Sequence, residues 1–189
     1  MAGFTVIADV GNALVKIFRE HMVPDVIPNA DAIGLCHPAD KGDFMLGIHL
    51  YDVKENMEIF ERGMQNVDLS TQRYPSQFLE LYYMITPYSM SDVKFRAVEE
   101  QRILGRAMQV LMDYGNLSGQ DIGSQNSSYT VHAQMLRLDM EDKMKLWNIP
   151  EVPYKASLYY KVTPVELEST RRKQVRRVTE AEINVKKNG

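Results

Sequence analysis

The sequence predicts an α+β fold, a mostly antiparallel or mixed β-sheet flanked by two main helices. Three observations lead there. Residues 5–22 and 92–113 repeat apolar side chains at helical spacing. Four other segments, 44–53, 77–86, 129–138 and 155–163, alternate or read as short strands. Neighbouring strands follow one another as hairpin-like pairs more often than through a helical crossover, which favours antiparallel pairing with helices on one face.

The elements follow in order. TVIADVGNALVKIFREHM places Val6, Val10, Leu14, Ile17 and Phe18 on one helical face, with Thr5 as N-cap and Pro24 as the stop. Ile33 and Leu35 seed a short strand before the Pro/Asp/Gly loop at 38–43. FMLGIHLYDV alternates Phe44, Leu46, Ile48 and Leu50 against Met45, Gly47, His49 and Tyr51. Residues 54–75 are polar without a clean period and read as a long loop or extended arm. QFLELYYMIT alternates Leu79, Leu81, Tyr83 and Ile85 against Phe78, Glu80, Tyr82 and Met84, and Pro87 closes it.

The helix over 92–113 has Leu104, Ala107, Met108, Leu111 and Met112 as its expected buried face, Asp92 as cap and Gly115 just past its end. GNLSGQDIGSQNSS reads as a flexible loop. YTVHAQMLRL reads as a strand, followed by a short helix from Asp139 to Trp147, a proline-bounded turn, and a last strand at 155–163. On this reading residues 1–167 form one domain and 168–189 a basic C-terminal arm.

Composition bounds the function. The 189 residues are 44% hydrophobic and 25% charged, ordinary globular values for a chain able to bury a core without disulfides or metals. The net charge of −3 argues against an overall nucleic-acid-binding field. From Glu168 onward the chain carries a net +4, so residues 1–167 carry −7. The single cysteine, Cys36, excludes an internal disulfide and a cysteine zinc cluster. The first residues lack the pattern of a signal peptide, and no apolar run nears the roughly 20 residues of a membrane helix. Folding in the cytoplasm is the expectation.

Signatures of chemistry are absent: no phosphate loop, dinucleotide fingerprint, nucleophile elbow or HExxH sequence occurs. His21, His37, His49 and His132 stand without a second ligand type at metal spacing. Cys36 and His37 are adjacent, which on a strand turns them to opposite faces, so an inert thiol is favoured over a nucleophile pair. No cofactor is implied. The basic run Arg171, Arg172, Lys173, Arg176 and Arg177 lacks interleaved aromatics for base stacking. Val175, Val178, Ile183 and Val185 give it apolar teeth, so docking on a neighbouring acidic subunit stands beside a plain solvated tail.

A family resemblance emerges from the ordered set FMLGIHLYDVKEN, QFLELYYMITPYS, EEQRILGRAMQVLMDYG and LRLDMEDKMKLWNIPEVPYKASLYYKVTPVEL. The set resembles the N-terminal-domain family of the cap protein of Photorhabdus-virulence-cassette-type contractile injection systems, which are phage-tail-like particles. The correspondence runs through Tyr51-Asp52-Val53, Tyr83 with Ile85-Thr86, Leu104-Gly105-Arg106-Ala107, Trp147, and Tyr160 to Val165. It spans roughly residues 5–167 and has no single decisive motif. The 54–75 segment and the arm after 168 fall outside its fixed pattern.

The resemblance implies a fold like phage tail terminators and a cap without catalysis. It implies a hexameric ring on the end of the inner tube, which stops tube polymerisation and holds the last sheath ring. Its partners would be copies of itself, the tube protein and the sheath protein, with no membrane and no nucleic acid. Assembly would be cytoplasmic, within a phage, a tailocin or a toxin-delivering particle. Candidate contact residues are Phe60 and Arg62 in the 54–75 segment, and Arg171, Arg172, Lys173, Val175, Arg176, Arg177 and Val178 in the arm. The core is expected to include Leu104, Met108, Leu111, Met144 and Trp147, with Met140, Met144 and Trp147 on one face of the short helix. The competing readings are a small cytoplasmic enzyme assembled from scattered residues such as Cys36, His49 and His132, and a nucleic-acid-binding adaptor working through the arm.

Overall fold

The computed structural model describes residues 3–59, 61, 63–122 and 129–175. Helix α1 (Val6–Met22) buries Val6, Val10, Leu14, Phe18 and Met22, a ladder of four-residue steps that forms one stripe. Strands β1 (Ile33–Leu35) and β2 (Leu46–Glu55) follow, then β3 (Gln65–Asn66), β4 (Thr71–Arg73) and β5 (Gln77–Pro87). Helix α2 (Val93–Tyr114) leads to β6 (Asn116–Leu117) and β7 (Val131–Met135). Helix α3 (Met140–Leu146), β8 (Leu158–Leu167) and β9 (Arg172–Gln174) complete the described chain.

Six strands form the main sheet in the order β1-β2-β5-β8-β7-β6. Only β1–β2 is parallel, so the sheet is mixed and mostly antiparallel. Both long helices lie on one face. Ile33, Leu46, Ile48, Leu81, Tyr83, Ile85, Tyr160 and Val162 meet α1 and α2 there in one buried cluster. The Arg19 guanidinium pins α1 to the sheet by donating twice to the Ile33 carbonyl, at 3.1 and 2.8 Å. The opposite face carries a smaller cluster of Met84, Tyr159 and Trp147, where α3 lies against the sheet.

A proline inside β8 has a clear structural setting. Leu79 pairs with Val165 and Leu81 with Val162, so the ladder is irregular where Pro164 falls. On the other side β7 reaches only to Thr163. Pro164 therefore sits where no ladder hydrogen bond needs its missing N–H.

Several expectations need correction. Residues 54–75 are not one loop: β3 and β4 form a hairpin that joins β9 in a second, three-stranded sheet. The Asp68 carboxylate accepts the Ser70 N–H at 2.8 Å and so closes the turn locally, a signal that apolar periodicity does not carry. The last strand begins at Leu158 and continues to Leu167. The 115–128 segment contributes the two-residue β6.

The buried face of α2 is Ile103, Ala107, Val110 and Leu111, with Leu104 partly buried against it. Met108 is 40% exposed and Met112 more so, because this amphipathic helix has two overlapping apolar stripes and the sheet takes the neighbouring one. Met144, expected in the core, is 49% exposed, and Met140 is exposed too. The residues of α3 that turn toward the sheet are Leu146 and, at its C-cap, Trp147.

Candidate assembly surfaces

The lower end of the sheet is tied to the small sheet by one cation. Arg73 Nη1 lies 2.6 Å from Glu168 Oε2, and Nη2 lies 3.6 Å from Glu166 Oε1. Ser76 Oγ donates to Glu166 Oε1 at 2.7 Å, and the Ser76 N–H donates to Glu61 Oε2 at 2.9 Å. Arg73 is in β4, Glu166 in β8, and Glu168 in the link to β9, so a single guanidinium joins three segments. Burial pushes the Glu166 carboxyl up, and the Ser76 hydrogen bond only partly offsets this. Nearby Glu61 and Glu168 push the same way, while Arg73 pulls down.

The structure places the first basic residues of the arm beside this clamp. Arg171 stacks over the Tyr74 ring, 4.1 Å from its centroid. Arg172 and Lys173 are exposed on β9, whose register sets Arg172 against Arg73, Lys173 against Gln72 and Gln174 against Thr71. Val175 is half-buried and its N–H donates to the Ser70 carbonyl at 2.7 Å. The arm thus begins by adding a strand to its own chain. Phe60, Arg62, Arg176, Arg177 and Val178 lie outside the described residues.

Trp147 is 4% exposed, packed with Met84 and Tyr159, and its ring meets Tyr154 edge-on at 5.9 Å. Half-buried Tyr51, Leu136, Leu138, Leu146, Ile149 and Val152 surround the group. Asp139 caps α3 through its carboxylate, which accepts the Asp142 N–H at 2.9 Å.

The residues of the scattered-enzyme reading do not converge on an activated group. Burial pushes the Cys36 thiol up, the opposite of what a nucleophilic thiolate needs. His37 meets His49 edge-on at 4.8 Å, but its Nδ1 accepts the Ala39 N–H in a turn. Burial holds His49 below the usual imidazole range, with His37 adding to it. His132 is at the other side of the sheet, 2.7 Å from Asn116 Oδ1. Among the described residues, no three His, Cys, Asp or Glu side chains are grouped to hold a metal ion. No described helix is long and apolar enough to cross a membrane.

The Pvc16 N-terminal domain family model matches residues 9–181. The chain belongs to that family. Among solved structures, the fold is similar to a sheath/tube terminator of an extracellular contractile injection system, PVC, in its extended state. That likeness has a TM-score of 0.68 at 17% identity and covers 97% of this chain and 64% of the other. The tube-terminating cap of the anti-feeding prophage is also similar, with a TM-score of 0.56 at 18% identity, covering 94% of this chain and 61% of that one. The chain thus spans less than two thirds of the length of these two proteins. No curated protein matches the sequence at a significant level.

Sequence reasoning missed the Arg73 clamp. Arg73, Glu166 and Glu168 are far apart in sequence, and Arg73 reads as one more charge in a polar stretch. The one available signal was Glu166 itself, a carboxylate set between Val165 and Leu167 in a largely apolar strand.

Proposed function

We propose that this chain is a structural cap of a contractile, phage-tail-like injection particle, working as a tail terminator. Its copies form a hexameric ring that ends the inner tube and anchors the last sheath ring. The tube and sheath proteins of the same particle are its partners, and the ring assembles in the cytoplasm before the particle is complete. The role is mechanical, and catalysis has no part in it.

The observation that carries this reading is the family match across 9–181, joined to a fold shared with two terminators over nearly the whole chain. The layout fits the task. A ring needs two different patches per subunit, because each copy meets its two neighbours through unlike surfaces. A terminator needs a third for the tube. The three-stranded sheet and the basic residues from Arg171 onward remain candidates for these contacts.

The test is tube growth. Purified tube protein polymerised with this chain should give tubes of limited length bearing a six-fold density at one end. Tubes of unrestricted length, with the chain still monomeric in light scattering, would overturn the proposal.

A further inference from the structure

We infer that neighbouring copies meet through the start of α2 on one and the acidic segment after β2 on the next. This rests on the ring reading above and names the surfaces that would build it.

The first half of the contact is the opening of α2. Every residue from Asp92 to Val98 is exposed. Phe95 is 65% exposed, and Met90, Val93 and Val98 are exposed as well. Two helical turns with apolar side chains and no packed face gain little stability from propensity alone. They are held at their base, where Ser89 bonds Glu99 and Glu100, and Lys155 pairs with Glu100. Exposed apolar groups gathered in one place mark a surface made to be covered. Among the exposed charges around them Lys94, Arg96 and Arg102 outnumber Asp92, and Glu100 is paired with Lys155, so the exposed border leans cationic.

The second half has the opposite charge. Met57 is 80% exposed and Leu69 is 83% exposed, with Val53 and Val67 also open. Glu55 and Glu58 flank Met57 and are exposed, Asp68 precedes Leu69 and is exposed, and residues 52–69 carry a net charge of −3. An exposed Met57 flanked by exposed carboxylates thus stands on the same subunit as an apolar helix start with an excess of exposed cations, which is the pairing electrostatic registry favours.

Their placement argues for a second copy as the occupant. In the β2–β5 ladder Leu46 pairs with Pro87, and Glu55 pairs with Leu79. The start of α2 follows Pro87 after the short segment 88–92, while Met57 and the β3–β4 hairpin adjoin the other end of β5. Eleven extended residues separate the two patches by about 35 Å. One subunit cannot satisfy its own pair. Unlike patches at opposite ends of a subunit produce head-to-tail contacts, which close into a ring when the rotation between copies allows it.

The experiment uses charge reversal and its rescue on the full chain. The Lys94→Glu/Arg96→Glu variant should weaken self-association, measured by sedimentation velocity, by about tenfold or more. The Glu55→Lys/Glu58→Lys variant should do the same. Mixing the two variants should restore assembly, and because all four positions are exposed, circular dichroism should stay unchanged. Mixed Met57→Cys and Phe95→Cys chains should cross-link to each other and not to themselves. A chain that assembles alone or on tubes yet ignores both reversals and fails to cross-link overturns this contact and leaves the ring standing. So does assembly whose reversals are not rescued by mixing, or cross-linking to tube or sheath protein instead. A chain that stays monomeric with tube protein overturns the ring reading, and this contact with it.

Discussion

Trp147→Ala tests whether the second face of the sheet is a core. Trp147 is 4% exposed and is the largest side chain packed against Met84 and Tyr159. Removing a large buried aromatic costs about 3–5 kcal/mol. Unfolding entropy of about 2.1 cal/mol/K per residue gives roughly 0.4 kcal/mol/K for a chain of 189 residues. The melting temperature should therefore fall by about 8–12 °C, read by far-ultraviolet circular dichroism. Trp147→Phe keeps a ring in place and should cost only about 1–2 kcal/mol. The ordering of the two variants matters as much as the size, because only a filled cavity makes Phe a partial rescue. Two equal losses under about 1 kcal/mol, with tube capping abolished, would refute the packing argument and put Trp147 on a partner surface.

Three further outcomes follow from the geometry. Arg73→Leu leaves Glu166 and Glu168 without their cation and should cost about 3–5 kcal/mol. Hydrogen exchange should rise at Thr71–Arg73 and Arg172–Gln174 while Ile48 and Ile85 stay protected; uniform acceleration would contradict a local clamp. Glu166 has a raised folded-state pKa, so its contribution is fully present below the unfolded value and is lost as pH rises through the folded one. Glu166→Gln should therefore flatten the fall in stability on going upward from the acidic range, and a stability–pH curve identical to that of the unaltered chain would reject the assignment. Gly47→Ala puts a Cβ 2.6 Å from Cys36 Sγ and should cost about 1–3 kcal/mol. Adding Cys36→Ala should recover part of that loss; strictly additive effects would mean that the two residues do not touch.

The main sheet was legible because the larger part of its core lies on one face. Leu46 and Ile48, or Leu81, Tyr83 and Ile85, face one layer of helices and show a period of two. Helix α1 was legible for the same reason, its stripe being the only apolar one it has. Helix α2 was legible as a helix but not in its rotation, since Met108 and Met112 compete on sequence with Ile103 and Val110. Hydrophobicity does not say which of two stripes meets the sheet and which stays exposed. The small sheet was hidden for another reason. Its strands are two or three residues long, and hydrogen bonds at Asp68 and charge at Arg73 hold it in place of apolar burial.

That difference in what holds each part bears on assembly. The main sheet has a core built within the subunit. The surfaces proposed for ring building are an exposed helical start and the acidic segment after β2, whose Phe95, Glu55, Met57 and Glu58 side chains lie outside the core. A mechanical ring gains from this division. Contacts between copies can form or rearrange without disturbing the cores, and a change at Phe95 or Met57 should alter assembly while leaving the fold intact. The Arg73 clamp lies between the two regimes. It ties the β3–β4 limb to β8 through charge, so loosening it should weaken assembly and spare the main sheet. If Arg73→Leu leaves ring formation untouched while β9 exchanges freely, the β3–β4 limb is not part of the contact, and the start of α2 meets the segment around Met57 alone.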